Sequence, residues 1–345
     1  MFEIPEILER LLSSWAGKRF SLKTPAWASI RQIRGFPPRA RRGRRAAHGG
    51  GARRTGKADT IDVLCAPEAR SRLRRWENLP PFHPVALRLM RAASSDDVPL
   101  TEVAAIVRSD GVFAAEILRL ANSPLFGFRQ EIESILHAVC LLGPERVRGL
   151  ALTVALRRFL GGVLATEAAR VCWRHNLACA LLCEELSGAY FLSKDPSYTA
   201  GFLHDIGRLA LLASFPAQYA QMLGLAALHR LDVRECEQGA FGLDHCVAGS
   251  WLVEEWQFPV EFREFTGRHH DPPDGHKFDM TTLVQLGCRT ADALGFDVTG
   301  PGCHAGPVEL RPRLPKSVSH RFGSDSDLML AIAEKINALE CSLLA

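Results

Sequence analysis

After about residue 66, apolar positions recur every three or four residues, and no stretch shows the strict alternation of a half-buried strand. In Pro84–Ala93 the apolar positions are Val85, Leu87, Leu89 and Met90, with Pro84 suited to a first helical turn. The same period predicts helices over Leu100–Val107, Val112–Leu120, Ile132–Leu142 and Glu145–Leu160, with Gly143-Pro144 as a stop between the last two. Farther on it predicts Thr166–Leu186, Pro196–Ser214, Pro216–Leu228, Val233–Gly239, Asp244–Trp256, Pro259–Thr266 and Met280–Leu294. Gly295 and Gly300-Pro301-Gly302 mark a loop. A last helix is expected over Asp325–Leu344, with Ser324 as its N-cap and Leu328, Leu330, Ile332 and Ile336 on its buried side. The fold class expected is therefore all-α.

Charge divides the chain. The net charge of the 345 residues is +4, yet 14 basic and no acidic residues lie between Arg10 and Lys57, so the remainder carries −10. Phe2–Trp15 could form a short amphipathic helix. The stretch from Gly35 to Lys57, with Arg41-Arg42-Gly43-Arg44-Arg45 and Gly49-Gly50-Gly51, has little to pack and reads as a disordered basic arm. Such an arm could touch nucleic acid or an anionic surface. The divisions expected are the arm (1–58), a first helical part (66–162), a second helical bundle (163–296), and a loop with a C-terminal helix packed on that bundle (297–345). No apolar run reaches the ~18–20 residues of a membrane span, and no secretory leader is evident. Ten cysteines without a Cys-x-x-Cys pair read as reduced thiols, and Cys172, Cys179 and Cys183 share one helix face. A cytoplasmic protein is expected.

The chemistry-bearing feature is Gly201-Phe202-Leu203-His204-Asp205-Ile206-Gly207-Arg208-Leu209, an adjacent His-Asp pair in an apolar, helix-compatible stretch. An isolated buried carboxylate is costly and is normally paired or metal-bound. His175, His245, His269, His270 and Asp292 lie on other predicted helices of the same half, and a bundle can converge such groups on one cavity. Neutral imidazoles with carboxylates suit a divalent transition metal such as Fe, Mn or Zn, and a carboxylate can bridge two ions.

The stretch from about Leu79 to Gly295 resembles the HDOD domain, the HD-related output domain of bacterial signalling proteins. The likeness rests on Leu79-Pro80-Pro81-Phe82-His83-Pro84-Val85-Ala86-Leu87, on Ser109-Asp110-Gly111 with Ile117-Leu118-Arg119-Leu120-Ala121-Asn122-Ser123, and on Ile135-Leu136-His137-Ala138-Val139 with Leu141-Leu142-Gly143. It continues in the His204-Asp205 segment, in Glu255-Trp256-Gln257-Phe258-Pro259 and in His269-His270. It implies an HD-type multi-helix bundle with an N-terminal helical subdomain, similar to HD-type phosphohydrolases. By that likeness His175, His204, Asp205 and Asp292 would hold one metal, and Asp205, His245, His269 and His270 a second, with Asp205 bridging. Arg208 falls where related enzymes often carry a phosphate-contacting Lys, though Arg and Lys are not interchangeable. No Gly-Tyr-Pro motif follows His269-His270, a departure from the enzymes that cleave cyclic di-GMP.

Three functions are consistent with this sequence. The first is a signalling output module that binds signalling proteins and, in one version, a nucleotide or cyclic dinucleotide. The second is a metal-dependent phosphohydrolase in which Asp205 and Arg208 are catalytic. The third is a nucleic-acid binder using the Arg-rich arm.

Overall fold

A computed structural model of the chain describes residues 79–92, 98–272, 278–299 and 314–344. The basic arm and the helix expected over 2–15 lie outside these residues. Every regular element among them is helical. The first five helices are α1 (Pro84–Ala92), α2 (Leu100–Arg108), α3 (Gly111–Ala121), α4 (Ile135–Leu142) and α5 (Pro144–Leu160). Then come α6 (Glu167–Ser187), α7 (Lys194–Leu203), α8 (Ile206–Ser214), α9 (Pro216–His229), α10 (Val233–Phe241) and α11 (His245–Glu255). The chain closes with α12 (Val260–Arg268), α13 (Met280–Ala293), α14 (Lys316–Phe322) and α15 (Asp325–Leu344). No single helix among the described residues is long and apolar enough to cross a membrane.

Several helix starts are set by side-chain capping. Asp110, Ser134, Thr166, Asp232, Asp244 and Asp279 each accept a hydrogen bond from a backbone N–H of the first turn that follows. Ser134 explains why α4 begins three residues later than the apolar period suggests.

Two helices are buried nearly all round and organise the rest. One is α5, which packs on α1, α3 and α4 on one side and on α7 and α8 on the other. The second is α6, with α7, α13 and α15 laid along it. A single contiguous core runs through both halves.

Two larger differences from the expectation concern whole elements. The helix expected over Pro196–Ser214 is two helices, because Asp205 leaves helical geometry (φ −101°, ψ 23°) and Ile206 starts a new helix. The loop expected after Gly295 contains α14, a seven-residue helix buried only through Val318.

Candidate metal centre

The site is built around the α7–α8 turn. Within a helix, neighbouring side chains diverge by about 100°; breaking the helix there lets His204 and Asp205 occupy the same interior. Glycines on either side permit the close packing that this requires. A Cβ on Gly201 would lie 2.6 Å from the Cys179 carbonyl oxygen, and one on Gly207 would lie 2.1 Å from that of His245. Thus α7 closes on α6, which carries His175, and α8 closes on α11, which begins with His245. Asn176 secures the first contact by donating to the Phe202 carbonyl at 2.9 Å.

Asp205 is 1% exposed and lies at the centre of the group. Its Oδ1 is 3.3 Å from His245 Nε2 and 3.2 Å from His269 Nε2. Its Oδ2 accepts from Arg208 Nε at 2.6 Å and stands 3.8 and 3.9 Å from Nε2 of His175 and His204. The imidazoles are aimed through their other nitrogens. Nδ1 of His175 pairs with the Phe296 carbonyl at 2.9 Å, that of His204 with the Gly201 carbonyl at 2.7 Å, and that of His269 with the Phe265 and Thr266 carbonyls at 3.1 Å. His270, more exposed, brings Nε2 to 3.1 Å from His245 Nε2. Asp292 approaches the far side of His175, with Oδ1 at 3.5 Å from Nδ1. All eight sequence-selected residues thus converge, with Asp292 at the periphery.

The structure adds four residues that sequence reasoning passed over. Glu237, fully buried, accepts from His245 Nδ1 at 2.6 Å and from the His245 backbone N–H at 2.8 Å, and Tyr219 donates to it. Arg208 Nη1 reaches Tyr219 and Glu237, and its Nη2 is 3.2 Å from His245 Nε2. Cys179 and Cys288 bring Sγ to 3.5 and 3.8 Å from His175 Nε2. A signal existed for each but Tyr219. Glu237 lies on the Val233–Glu237–Phe241 stripe of a helix, where an acid is out of place. Cys179 is one turn past His175, and Cys288 one turn before Asp292.

Electrostatics follow from burial and from Arg208. Burial pushes the Asp205 carboxyl up, but the Arg208 guanidinium, with His245 and His204, outweighs it and holds the group well below the usual carboxylate range. Burial drives Glu237 upward despite Arg208. His245 is pushed well below the ordinary imidazole value by burial and then by Arg208. Burial opposes the charged form of His175, yet its hydrogen bond to Cys288 and the nearby Asp292 and Asp205 carboxylates raise it to about 10.

Three clusters could hold a metal ion, each with donor atoms within 4.8 Å of one another: His204, Asp205 and His269; His245, Cys246, His269 and His270; and His175, Cys179, His204 and Cys288. His204 Nε2, Asp205 Oδ1 and His269 Nε2 are buried without hydrogen-bond partners, a donor set that suits one divalent transition metal. A bridging Asp205 is harder to accommodate, since Arg208 takes Oδ2 and stands against His245 Nε2.

The HDOD domain family model matches residues 79–272. An uncharacterized protein of Treponema pallidum is 23% identical over 202 residues, 58% of this chain and 39% of that protein, so the chain spans about two fifths of its relative's length. Among solved structures, an HDOD domain protein of unknown function from Geobacter sulfurreducens superposes with a TM-score of 0.64 at 24% identity, over 84% of this chain and all of that one. A provisionally named phosphohydrolase of Shewanella amazonensis gives 0.59 at 21% identity, over 79% of this chain and 98% of that one. A provisionally named signal transduction protein of Marinobacter aquaeolei gives 0.57 at 21% identity, over 83% and 64%.

Proposed function

The chain belongs to the HDOD domain family, and from that premise we propose that it is a cytoplasmic signalling output module that acts by binding partner proteins rather than by turning over a substrate. The observation that carries this reading is the state of Asp205. Its charge is satisfied by Arg208 inside a buried network with Tyr219, Glu237 and His245, all between 0 and 3% exposed. An Arg held in this way is not presented to a phosphate. The described cysteines are all unpaired, in keeping with a reducing compartment.

The test is a turnover assay on the full chain with Mn, Fe or Zn against a generic phosphodiester, nucleoside triphosphates and cyclic dinucleotides. No metal-dependent turnover is expected. Turnover that disappears in Asp205→Ala would overturn the reading and establish a phosphohydrolase.

A second reading has its own observation, the three unpartnered buried atoms on His204, Asp205 and His269. They could hold one divalent ion, which would supply Lewis acidity for phosphoester hydrolysis. In that case Arg208 would have to leave Asp205 to meet the phosphate.

A further inference from the structure

We propose that His175, Cys179, His204 and Cys288 form a closed, four-coordinate site for one zinc ion, which takes His204 from the His-Asp pair and is structural rather than hydrolytic. The four donor atoms lie within 4.8 Å of one another, and all four residues are buried. A tetrahedral zinc with bonds of about 2.0–2.3 Å separates its ligand atoms by roughly 3.4–3.8 Å. Cys179 Sγ and Cys288 Sγ already stand at 3.5 and 3.8 Å from His175 Nε2.

Three features point to a built site rather than to core thiols lying near histidines. His175 and Cys179 are four residues apart on α6, so they share a face. Cys288 enters from α13 and His204 from the α7–α8 turn, which places the four ligands on three separate segments. Both imidazoles are locked through Nδ1 to backbone carbonyls, of Phe296 and Gly201, the outer hydrogen bond that turns Nε2 toward a metal. Independently, His204 Nε2 is wholly buried and has no hydrogen-bond partner, an unexplained donor position aimed into this group.

The ligand chemistry names the ion class. Two thiolates and two imidazoles favour zinc over the harder Mn or Mg, which prefer carboxylate and water. Four protein ligands leave no open position, so the ion would be structural. It would tie the α7–α8 turn to α6 and α13. Asp292, which faces Nδ1 of His175, takes no part. This inference stands apart from the module proposed above, which needs no ion, and it competes with the hydrolytic reading, because His204 Nε2 can ligate only one of the two ions.

The test uses full-length protein purified anaerobically with a non-thiol reductant, dialysed against zinc alone, and measured for metal content. About one zinc per chain is expected in wild type and in Asp292→Asn, and loss of that zinc in Cys288→Ala and in Cys179→Ala. Because a core cysteine variant can also lose its fold, wild-type protein is loaded with cobalt in parallel, where a thiolate-to-cobalt charge-transfer band with tetrahedral ligand-field absorption is expected. Wild type that retains no zinc, folded cysteine variants that retain it in full, or a cobalt spectrum without the thiolate band would each overturn the site.

Discussion

At the scale of single residues, Asp205 and Arg208 form the interaction with most at stake. Removing one partner of a buried pair leaves the other charge without compensation, which costs about 3–5 kcal/mol. Arg208→Met strands both Asp205 and Glu237, so urea unfolding of this variant in chelator should show a loss of that size. Asp205 is also the oxygen donor for any ion held with His204 and His269, so adding Mn or Zn should recover part of the loss; a variant as stable as wild type in chelator would mean that the pair does not hold the core. His245 sets a pH dependence in the same metal-free protein. Burial and Arg208 keep it neutral in the native state, whereas an unfolded imidazole gains its proton near pH 6.5. Below that pH the unfolded state binds more protons, and this group removes about 1.4 kcal/mol of stability per pH unit. His175 acts in the opposite window: raised to about 10, it contributes fully below pH 6.5 and loses that contribution as pH climbs toward 10. Stability of the chelated protein should therefore pass through a maximum near pH 6.5; a profile that only rises between pH 5.5 and 9 would contradict the His175 assignment, and one that only falls would contradict that of His245.

At the scale of elements, the site depends on how closely α8 approaches α11. A Cβ on Gly207 would meet the His245 carbonyl oxygen at 2.1 Å and the Gly249 amide nitrogen at 2.4 Å, both backbone atoms that cannot swing away. Gly207→Ala must push the helices apart, and a loss above about 3 kcal/mol is expected. Gly224, exposed on α9 with nothing within 4 Å, provides the control, since Gly224→Ala should stabilise by about 0.5–1 kcal/mol through helix propensity alone. Thermal unfolding of the two variants should move in opposite directions; a shared direction would mean that the Gly207 contact is not rigid. The helices themselves were legible from the apolar period, because α5, α6 and α13 carry long apolar faces, and Ser324, expected as the N-cap of α15, accepts from the Asp327 N–H at 3.1 Å. The break at His204-Asp205 was not, since apolar residues continue through it and the turn is imposed by packing on both sides. The histidines and aspartates were legible by residue type. Cys179 and Cys288 carried only a spacing of one turn from His175 and Asp292, which a core thiol can share until its distance to His175 is known.

At the scale of the molecule, the family-like segments at the two ends of the matched region meet. Phe82 of the opening segment stacks on Trp256 at 4.3 Å, with Phe159 and Phe258 against the pair, and Arg91 donates to the Trp256 carbonyl. Asn122 clamps the loop before α4 by giving and receiving hydrogen bonds with the Ile132 backbone at 3.0 and 2.8 Å. These residues of the first half thus have a packing role that does not involve metal chemistry. The C-terminal tail lies beyond residue 272, where the family match ends, yet α15 packs on both α6 and α3 and so joins the two halves. It buries Leu328, Ile332, Ile336, Leu339 and Leu343, and pairs Lys335 with Glu185 and Glu340 with Arg174. Five such side chains at about 1.5–3 kcal/mol each represent roughly 8–15 kcal/mol as an upper bound, comparable with the whole stability of a typical domain. A chain ending at residue 313 should therefore lose its cooperative thermal transition and bind a hydrophobic dye, while keeping much of its helical signal. A cooperative transition within a few degrees of the full chain would instead make α15 an appendage, and the fold would then rest on α5 and α6 alone.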